Sequence, residues 1–296
     1  FLKSLKETIP KKMLNYPFWV NDFDRVKDHK LDYPLSSKIF EYPVAFWYGA
    51  KKGKKAYSKL SKSLKRFLKR TAPNLPYFVI YNLPYRDMGH YSKGGASTAT
   101  DYLLFIQEFC KGIEGTKPII VYEPDALPHS TLMDQEQADY RKNLIQQGLQ
   151  VLTEESNAYV YIDIGHSNWL EPKDAHELLQ QVWVEGCRGF SVNVSNYRST
   201  KESMQWALKV CEYNPDYRFV IDTSRNGNGP HGNDWCNPPG RALGEPPTCD
   251  TGNELCDAFL WIKIPGESDG KGNGGPRAGK FWGPMAETLV KNADLI

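Results

Sequence analysis

Ile119-Ile-Val-Tyr-Glu-Pro-Asp125 is a short, near-continuous apolar run that ends in acids. Such a run fits a strand buried on both faces, as in a parallel sheet covered by helices. Six further runs of this kind occur along the chain: Val44–Gly49, Tyr77–Asn82, Ala158–Gly165, Gly189–Asn196, Phe219–Arg225 and Ala258–Gly266. Helical patterns lie between them. Thr98–Ile113 carries Leu103, Leu104, Ile106 and Phe109, and Asp134–Thr153 carries Leu144, Ile145, Leu149 and Leu152. Pro172–Val182 is a shorter helix. Ser199-Thr-Lys-Glu202 reads as a capping box opening a helix through Val210, and Pro284 fits the first turn of a last helix through Val290. Strands alternating with helices predict an α/β fold with a mostly parallel sheet. Seven strands rather than eight leave a distorted barrel and an open sheet both in play.

At 296 residues, with no Ser/Gly/Pro-rich linker, the chain reads as one domain. That size suits an α/β barrel, which typically needs roughly 250 residues. Residues 1–43 precede the first run and are expected to pack on the barrel as an N-terminal extension. A formal charge of +2 is too small for a dedicated nucleic-acid binder. The basic stretch Lys51–Arg70 has Leu60, Leu64, Phe67 and Leu68 at helical spacing, so its charges read as the solvated face of an outer helix. No apolar run reaches the roughly 18 residues of a membrane span, so no membrane partner is expected. The chain starts at Phe1 and carries no signal segment, which reads as a mature or trimmed fragment. The six cysteines form no CxxC pair, which argues against a zinc site. Cys236, Cys249 and Cys256 surround a Gly/Pro-rich loop that a disulfide could close, with the connectivity open.

Parallel barrels carry their active sites at the C-terminal ends of the strands. There this chain places Trp47, Arg86, Asp87, Asp125, Asp163, His166, Trp169, Asn193, Asp222, Arg225, Lys263, Glu267 and Asp269. Clustered carboxyls could serve acid–base chemistry, a hard metal or salt bridges. No HxH or HExxH spacing supports a catalytic metal, and neither metal nor cofactor is expected. The Gly-rich stretch Asn226–Gly232 lacks GxGxxG and a Walker ending, and no GxSxG marks a serine nucleophile. Hydrolysis of a sugar bond needs one protonated carboxyl, one carboxylate and apolar platforms for pyranose rings. The chain has 8 Trp and 17 Tyr, and Trp47, Trp169 and Trp235 stand on three separate segments of the same face. Trp235, flanked by Asn233, Asp234 and Asn237, reads as a sugar platform rather than core.

These residues resemble glycoside hydrolase family 6, the inverting cellulases. The resemblance runs from about Val44 to the C-terminus. It is carried by Tyr81-Asn-Leu-Pro-Tyr-Arg-Asp87, Val121-Tyr-Glu-Pro-Asp125, Asp163-Ile-Gly-His-Ser-Asn-Trp169, Asn193-Val-Ser-Asn-Tyr197, Asp222-Thr-Ser-Arg225, Asp234-Trp-Cys236 and Trp261-Ile-Lys-Ile-Pro-Gly-Glu-Ser-Asp269. It implies a distorted seven-stranded parallel β/α barrel, similar to a TIM barrel. It implies Asp125 as proton donor, Asp87 as the neighbouring acid that raises its pKa, and Asp269 as the proposed base. By the same resemblance Tyr81 crowds the distorted sugar ring, and Arg86 and Arg225 orient carboxylates, with Asp163 supporting. Trp47, Trp169, Trp235, Lys263, Glu267, His166, Asn193 and Ser92 contact substrate or its water. The partner implied is cellulose or a cello-oligosaccharide, handled by a secreted, extracellular monomer.

Departures from the family pattern bear on mechanism. Met88 stands where the family usually has cysteine, so Cys236 is left to pair with Cys249 or Cys256 or to stay free. Lys93 falls where a loop serine commonly holds the catalytic water, with Ser92 before it. A second tryptophan after Trp169 is replaced by Glu171-Pro172. The stretches after Asp125 and across Lys271–Lys280 are short, which points to an open cleft and endo cleavage. The rivals are a cellobiohydrolase-type exo enzyme and a β-glucan-binding protein with little or no turnover.

Overall fold

The computed structural model describes residues 14–20, 32–49, 57 and 59–293. The seven apolar runs form one parallel sheet in chain order: β1 (Phe46–Tyr48), β2 (Phe78–Ile80), β3 (Ile119–Tyr122), β4 (Tyr159–Asp163), β5 (Gly189–Val192), β6 (Arg218–Asp222) and β7 (Cys256–Leu260). β7 starts at Cys256 rather than Ala258, so Trp261–Gly266 lies beyond the ladder and belongs to the rim. The sheet curls without a β7–β1 ladder. Isolated bonds cross that gap instead. The Ala45 N–H donates to the Trp261 carbonyl at 3.1 Å, and the Trp47 indole N–H to the Ile262 carbonyl at 2.8 Å. The result is the distorted, incompletely closed barrel that the resemblance implies, one of the two forms the strand count left in play.

The outer helices are α1 (Leu60–Thr71), α2 (Ala99–Ile113), α3 (Gln135–Glu155), α4 (Pro172–Val182), α5 (Thr200–Cys211) and α6 (Gly283–Lys291). Their starts follow local chemistry. Thr98 Oγ1 accepts the Asp101 N–H at 3.0 Å, and Asp134 Oδ1 accepts the Gln137 N–H at 2.9 Å. Ser199 Oγ caps Glu202 N–H at 3.2 Å, but the box is half made: Glu202 Oε1 takes the Ser167 hydroxyl instead of returning to the cap. In α1, Leu64 and Leu68 are buried while Lys62, Lys65, Lys69 and Arg70 are exposed, as a solvated face requires. Residues 51–56 of that basic stretch lie outside the described residues.

Alternation along the strands divides the core. Phe78, Ile80, Ile120, Tyr122, Val160, Ile162, Phe190 and Phe219 point out to the helices. Val79, Val121, Tyr161, Val220 and Ala258 fill the barrel. A third cluster joins α6 to a 3₁₀ turn, Pro34–Glu41, through Ile39, Trp261 and Leu289. Beneath the barrel, the Tyr16 hydroxyl donates to the Pro76 carbonyl at 2.7 Å and accepts the Ile119 N–H at 3.2 Å. That contact seats the described part of the N-terminal extension. Residues 1–13 and 21–31 of the extension lie outside the described residues.

All six cysteines are free thiols, which corrects the expected loop-closing disulfide. Cys249 packs against the inner cluster and Cys256 belongs to the outer one, so the sheet stands between them. Cys236 lies at the rim against Gly272.

Near the N-terminal ends of the strands, Arg188 and Asp257 form a buried bidentate pair at 2.6 and 2.7 Å, and the Tyr161 hydroxyl donates to the same carboxylate at 2.7 Å. Removing one partner of a buried pair strands the other charge. Asp257→Ala is therefore expected to cost about 3–5 kcal/mol of stability. Urea unfolding of the variant beside the parent checks this, and a loss under about 1 kcal/mol would contradict it.

Candidate active site

The end of β3 turns sharply. Glu123 and Asp125 both adopt left-handed backbone, with φ of 49° and 66°, a costly arrangement typical of functional turns. The turn sends the two acids to different tasks. The Glu123 carboxylate is buried and accepts the Asn82 N–H at 3.0 and 3.1 Å and the Leu83 N–H at 3.1 Å. It ties the end of β2 to the end of β3. The Asp125 carboxyl is half-buried and accepts no hydrogen bond from the described residues. Its own N–H donates to Asp163 Oδ1 at 2.8 Å. Burial pushes the Asp125 pKa well above the ordinary carboxyl range, and Asp163, Asp87 and Asp269 add to it in that order. Acids from the ends of four different strands are therefore electrostatic neighbours.

Asp163 is fully buried and also accepts the Gly165 N–H at 3.1 Å and the Ser191 hydroxyl at 3.0 Å. Burial outweighs those bonds and lifts its pKa to about 7. Asp87, in left-handed backbone, accepts the Ser92 N–H at 2.6 Å, and burial raises its pKa as well. Asp269 differs. Burial alone would raise it, but Arg225 and then Lys263 overcome this and hold it below the usual value. Its Oδ2 accepts Arg225 Nη1 at 2.9 Å, the Tyr197 hydroxyl at 3.0 Å and the Asn237 N–H at 3.1 Å. Its Oδ1 lies 3.6 Å from Lys263 Nζ. One site thus holds one carboxyl driven toward protonation and another driven toward ionisation.

The rings take distinct places. Trp47 on β1 stands edge-on to Tyr81, with centroids 5.5 Å apart. Trp169 packs against His129 at 5.0 Å and His166 at 5.6 Å. Trp235 is 48% exposed. Burial lowers the pKa of both His166 and His129 to about 4, so both are neutral near neutral pH. Glu267 and Lys263 are half-buried on the segment after β7.

Two residues do other work than expected, and a third, Ser92, is tied down through its backbone. Asn193 is fully buried, and its side chain bonds the Arg198 N–H, the Arg198 carbonyl and the Asp222 carbonyl, so it shapes the loop after β5 and cannot line a subsite. Arg86 donates to the carbonyls of Ser92 and Tyr81 and lies over the Tyr81 ring, so it holds a loop rather than a carboxylate. Ser92 acts through its backbone, on Asp87 and Arg86. Residues that sequence reasoning passed over are Glu123, His129, Tyr197 and Asn237. Glu123 had a signal: it is the first acid of a motif whose second acid was noticed. Tyr197 closes a quoted motif and Asn237 flanks Trp235, but nothing local pointed to their bonds with Asp269, which span 72 and 32 residues.

The family model for glycosyl hydrolases family 6 matches residues 21–293. The chain belongs to that family. It is 39% identical over 263 residues to endoglucanase A of Cellulomonas fimi, covering 88% of this chain and 57% of that protein. It is 34% identical over 270 residues to endoglucanase 1 of Streptomyces halstedii, covering 86% and 80%. The chain spans only about half the length of several curated relatives, as with endoglucanase A of Thermobispora bispora at 45%. Among solved structures, the endoglucanase Cel6 of Mycobacterium tuberculosis, in complex with a thio-linked methyl cellobiosyl cellobioside, superposes with a TM-score of 0.88. The two are 34% identical, over 95% of this chain and 98% of that one.

The Glu123 clamp has a consequence for stability. Burial lifts its pKa from 4.5 to about 7, so between those values the folded chain keeps a proton that the unfolded chain releases. The native state then binds more protons, and this contribution to stability falls as pH rises from about 4.5 to 7. Glu123→Gln removes it. The stability of the variant relative to the parent is expected to climb across that window in urea titrations, and a constant difference would refute the assignment.

Proposed function

We propose that this domain cleaves internal β-1,4-glucosidic bonds of cellulose with inversion, Asp125 serving as general acid. The carrying observation is the opposed tuning of Asp125 and Asp269: environments that drive two carboxyls apart mark an acid and a base. Asp125 donates its proton to the glycosidic oxygen. Asp269 stays ionised beside Arg225, and its Oδ1, the oxygen nearer Lys263, receives the proton from the attacking water, directly or through a second water. Inversion needs the two carboxyls about 6.5–9.5 Å apart, with that water between them and the sugar. Asp163, which is buried, and Asp87, which is half-buried, disfavour the charge on Asp125. Trp47, Trp169 and Trp235 offer ring platforms, Lys263, Glu267 and His166 read hydroxyls, and Tyr81 crowds the ring that distorts. No cofactor is required, and the domain works as a secreted monomer on cellulose or cello-oligosaccharides.

Loop length supports the endo mode. Between Asp125 and α3 there is only a helical turn, Ala126–His129, and a 3₁₀ turn, Ser130–Leu132. The segment after Asp269 is pinned at its base, with the Ser268 N–H on the Lys280 carbonyl and the Gly279 N–H on the Ser268 carbonyl, each at 2.9 Å. Short segments of this kind favour an open cleft over a tunnel. The relatives named endoglucanases agree with this reading.

Carboxymethylcellulose should lose viscosity faster than it gains reducing ends, and Asp125→Ala should lower the rate about 10²–10⁴-fold. Viscosity and reducing-end assays on both proteins decide it. Cellobiose released processively from crystalline cellulose would refute the endo mode. No turnover by the parent, with cello-oligosaccharide binding kept, would favour a binding protein.

A further inference from the structure

The loop after β2 folds back on itself. Arg86 pairs with Gly94 as an isolated bridge, and the Ala96 N–H returns to the Asn82 carbonyl at 2.8 Å. Tyr91 lies on this loop, one residue from the Ser92 N–H that binds Asp87 at 2.6 Å. Its ring leaves its own loop. It lies 6.0 Å from the Trp235 ring at an angle of 50°, and a Cβ placed on Gly270 would meet it at 2.4 Å. Only glycine admits the ring there.

Both partners of Tyr91 are fastened to Asp269. Gly270 follows it in the chain. Trp235 stands two residues before Asn237, which exchanges bonds with Asp269 in both directions, its N–H to Oδ2 at 3.1 Å and its Oδ1 accepting the Asp269 N–H at 2.8 Å. Asn237 also donates to the Gly270 carbonyl at 2.7 Å. A continuous physical path therefore runs from Asp87 through Ser92 and Tyr91 to Gly270, Trp235 and Asp269. It joins the loop after β2 to the segments after β6 and β7. β1 stands between β2 and β7, and β1 shares no ladder with β7.

We propose that Tyr91 is a positioning residue for hydrolysis: its ring docks the Asp87 loop against the Asp269 segment and so fixes the spacing of carboxylates on opposite sides of the site. This rests on the hydrolase reading above. The chemistry tolerates little slack, since a misplacement of about 1 Å at reacting groups can cost about 100-fold in rate. Tyr91 is 48% exposed, so truncating it leaves the core intact.

The test uses Tyr91→Ala and Tyr91→Phe in two assays. Cello-oligosaccharide hydrolysis should show kcat lowered about 10-fold or more in Tyr91→Ala, KM changed less than about threefold, and Tyr91→Phe restored to near the parent rate. Acrylamide quenching of tryptophan fluorescence needs no turnover. Tyr91→Ala should increase quenching in the parent background and not in a Trp235→Phe background, which shows that Trp235 lost its cover. Unchanged quenching would overturn the docking contact. Increased quenching with parental kcat would overturn the positioning role. If the parent hydrolyses no glucan, the proposed function falls, and quenching alone still decides whether the ring docks the loop.

Discussion

Three buried carboxylates hold the C-terminal rim of the sheet. Where parallel strands stop, the next backbone N–H groups lose their ladder partners and, being buried, must find others. Glu123 accepts those of Asn82 and Leu83, joining the ends of β2 and β3. Asp163 accepts from Asp125, Gly165 and the Ser191 side chain, joining β3, β4 and β5. Asp222 accepts from Ser195, Ser224, Ile262 and Lys263, joining β5 and β6 to the segment after β7. Every loop that carries a reactive group hangs from one of these ties. The left-handed turns at Glu123, Asp125, Asn193 and Ser195 are tolerated because the ties over-determine them.

The same ties set the electrostatics. Acids satisfied by neutral backbone groups sit close together in a poorly solvated rim, where a full set of negative charges is unfavourable. Burial raises Asp125, Asp163, Asp87 and Glu123 alike. Asp269 escapes because, among these acids and within the described residues, it is the one directly ion-paired with a buried guanidinium, with Lys263 beside it. The difference between acid and base thus comes from where two cations lie. Arg225 is itself fixed by a 2.6 Å bond to the Ser195 carbonyl and by stacking on the Tyr197 ring, with its carbon 4.4 Å from the centroid. The loop after β5 therefore positions the cation that tunes the base.

Much of this architecture was legible in the chain. The apolar runs marked all seven strands, and Thr98, Asp134, Pro172, Ser199 and Pro284 marked helix starts, because strand burial and helix capping are local effects. Asp125 was one of five acids at or just past strand ends, and the resemblance of its Glu-Pro-Asp motif singled it out. The errors share a cause. Asn193 and Arg86 carry polar side chains at strand ends, as ligand-binding residues do, and only their partners show that backbone groups consume them. Glu202 satisfies the spacing of a capping box, yet Ser167 from the loop after β4 competes for it. Cys249 and Cys256 are close in sequence but fall on opposite faces of the sheet.

The sequence by itself determined the α/β order, the family and the identity of the acids at the rim. The order follows from periodicity and capping, which act over a few residues, and the family and its acids from the resemblance of short motifs. Tertiary structure alone decided which acid is raised and which is lowered, because that depends on burial and on cations up to 44 residues away. It also decided that Tyr91 meets Trp235 and Gly270. Contacts between loops on different strands are set by the curl of the sheet, and no local pattern encodes that curl.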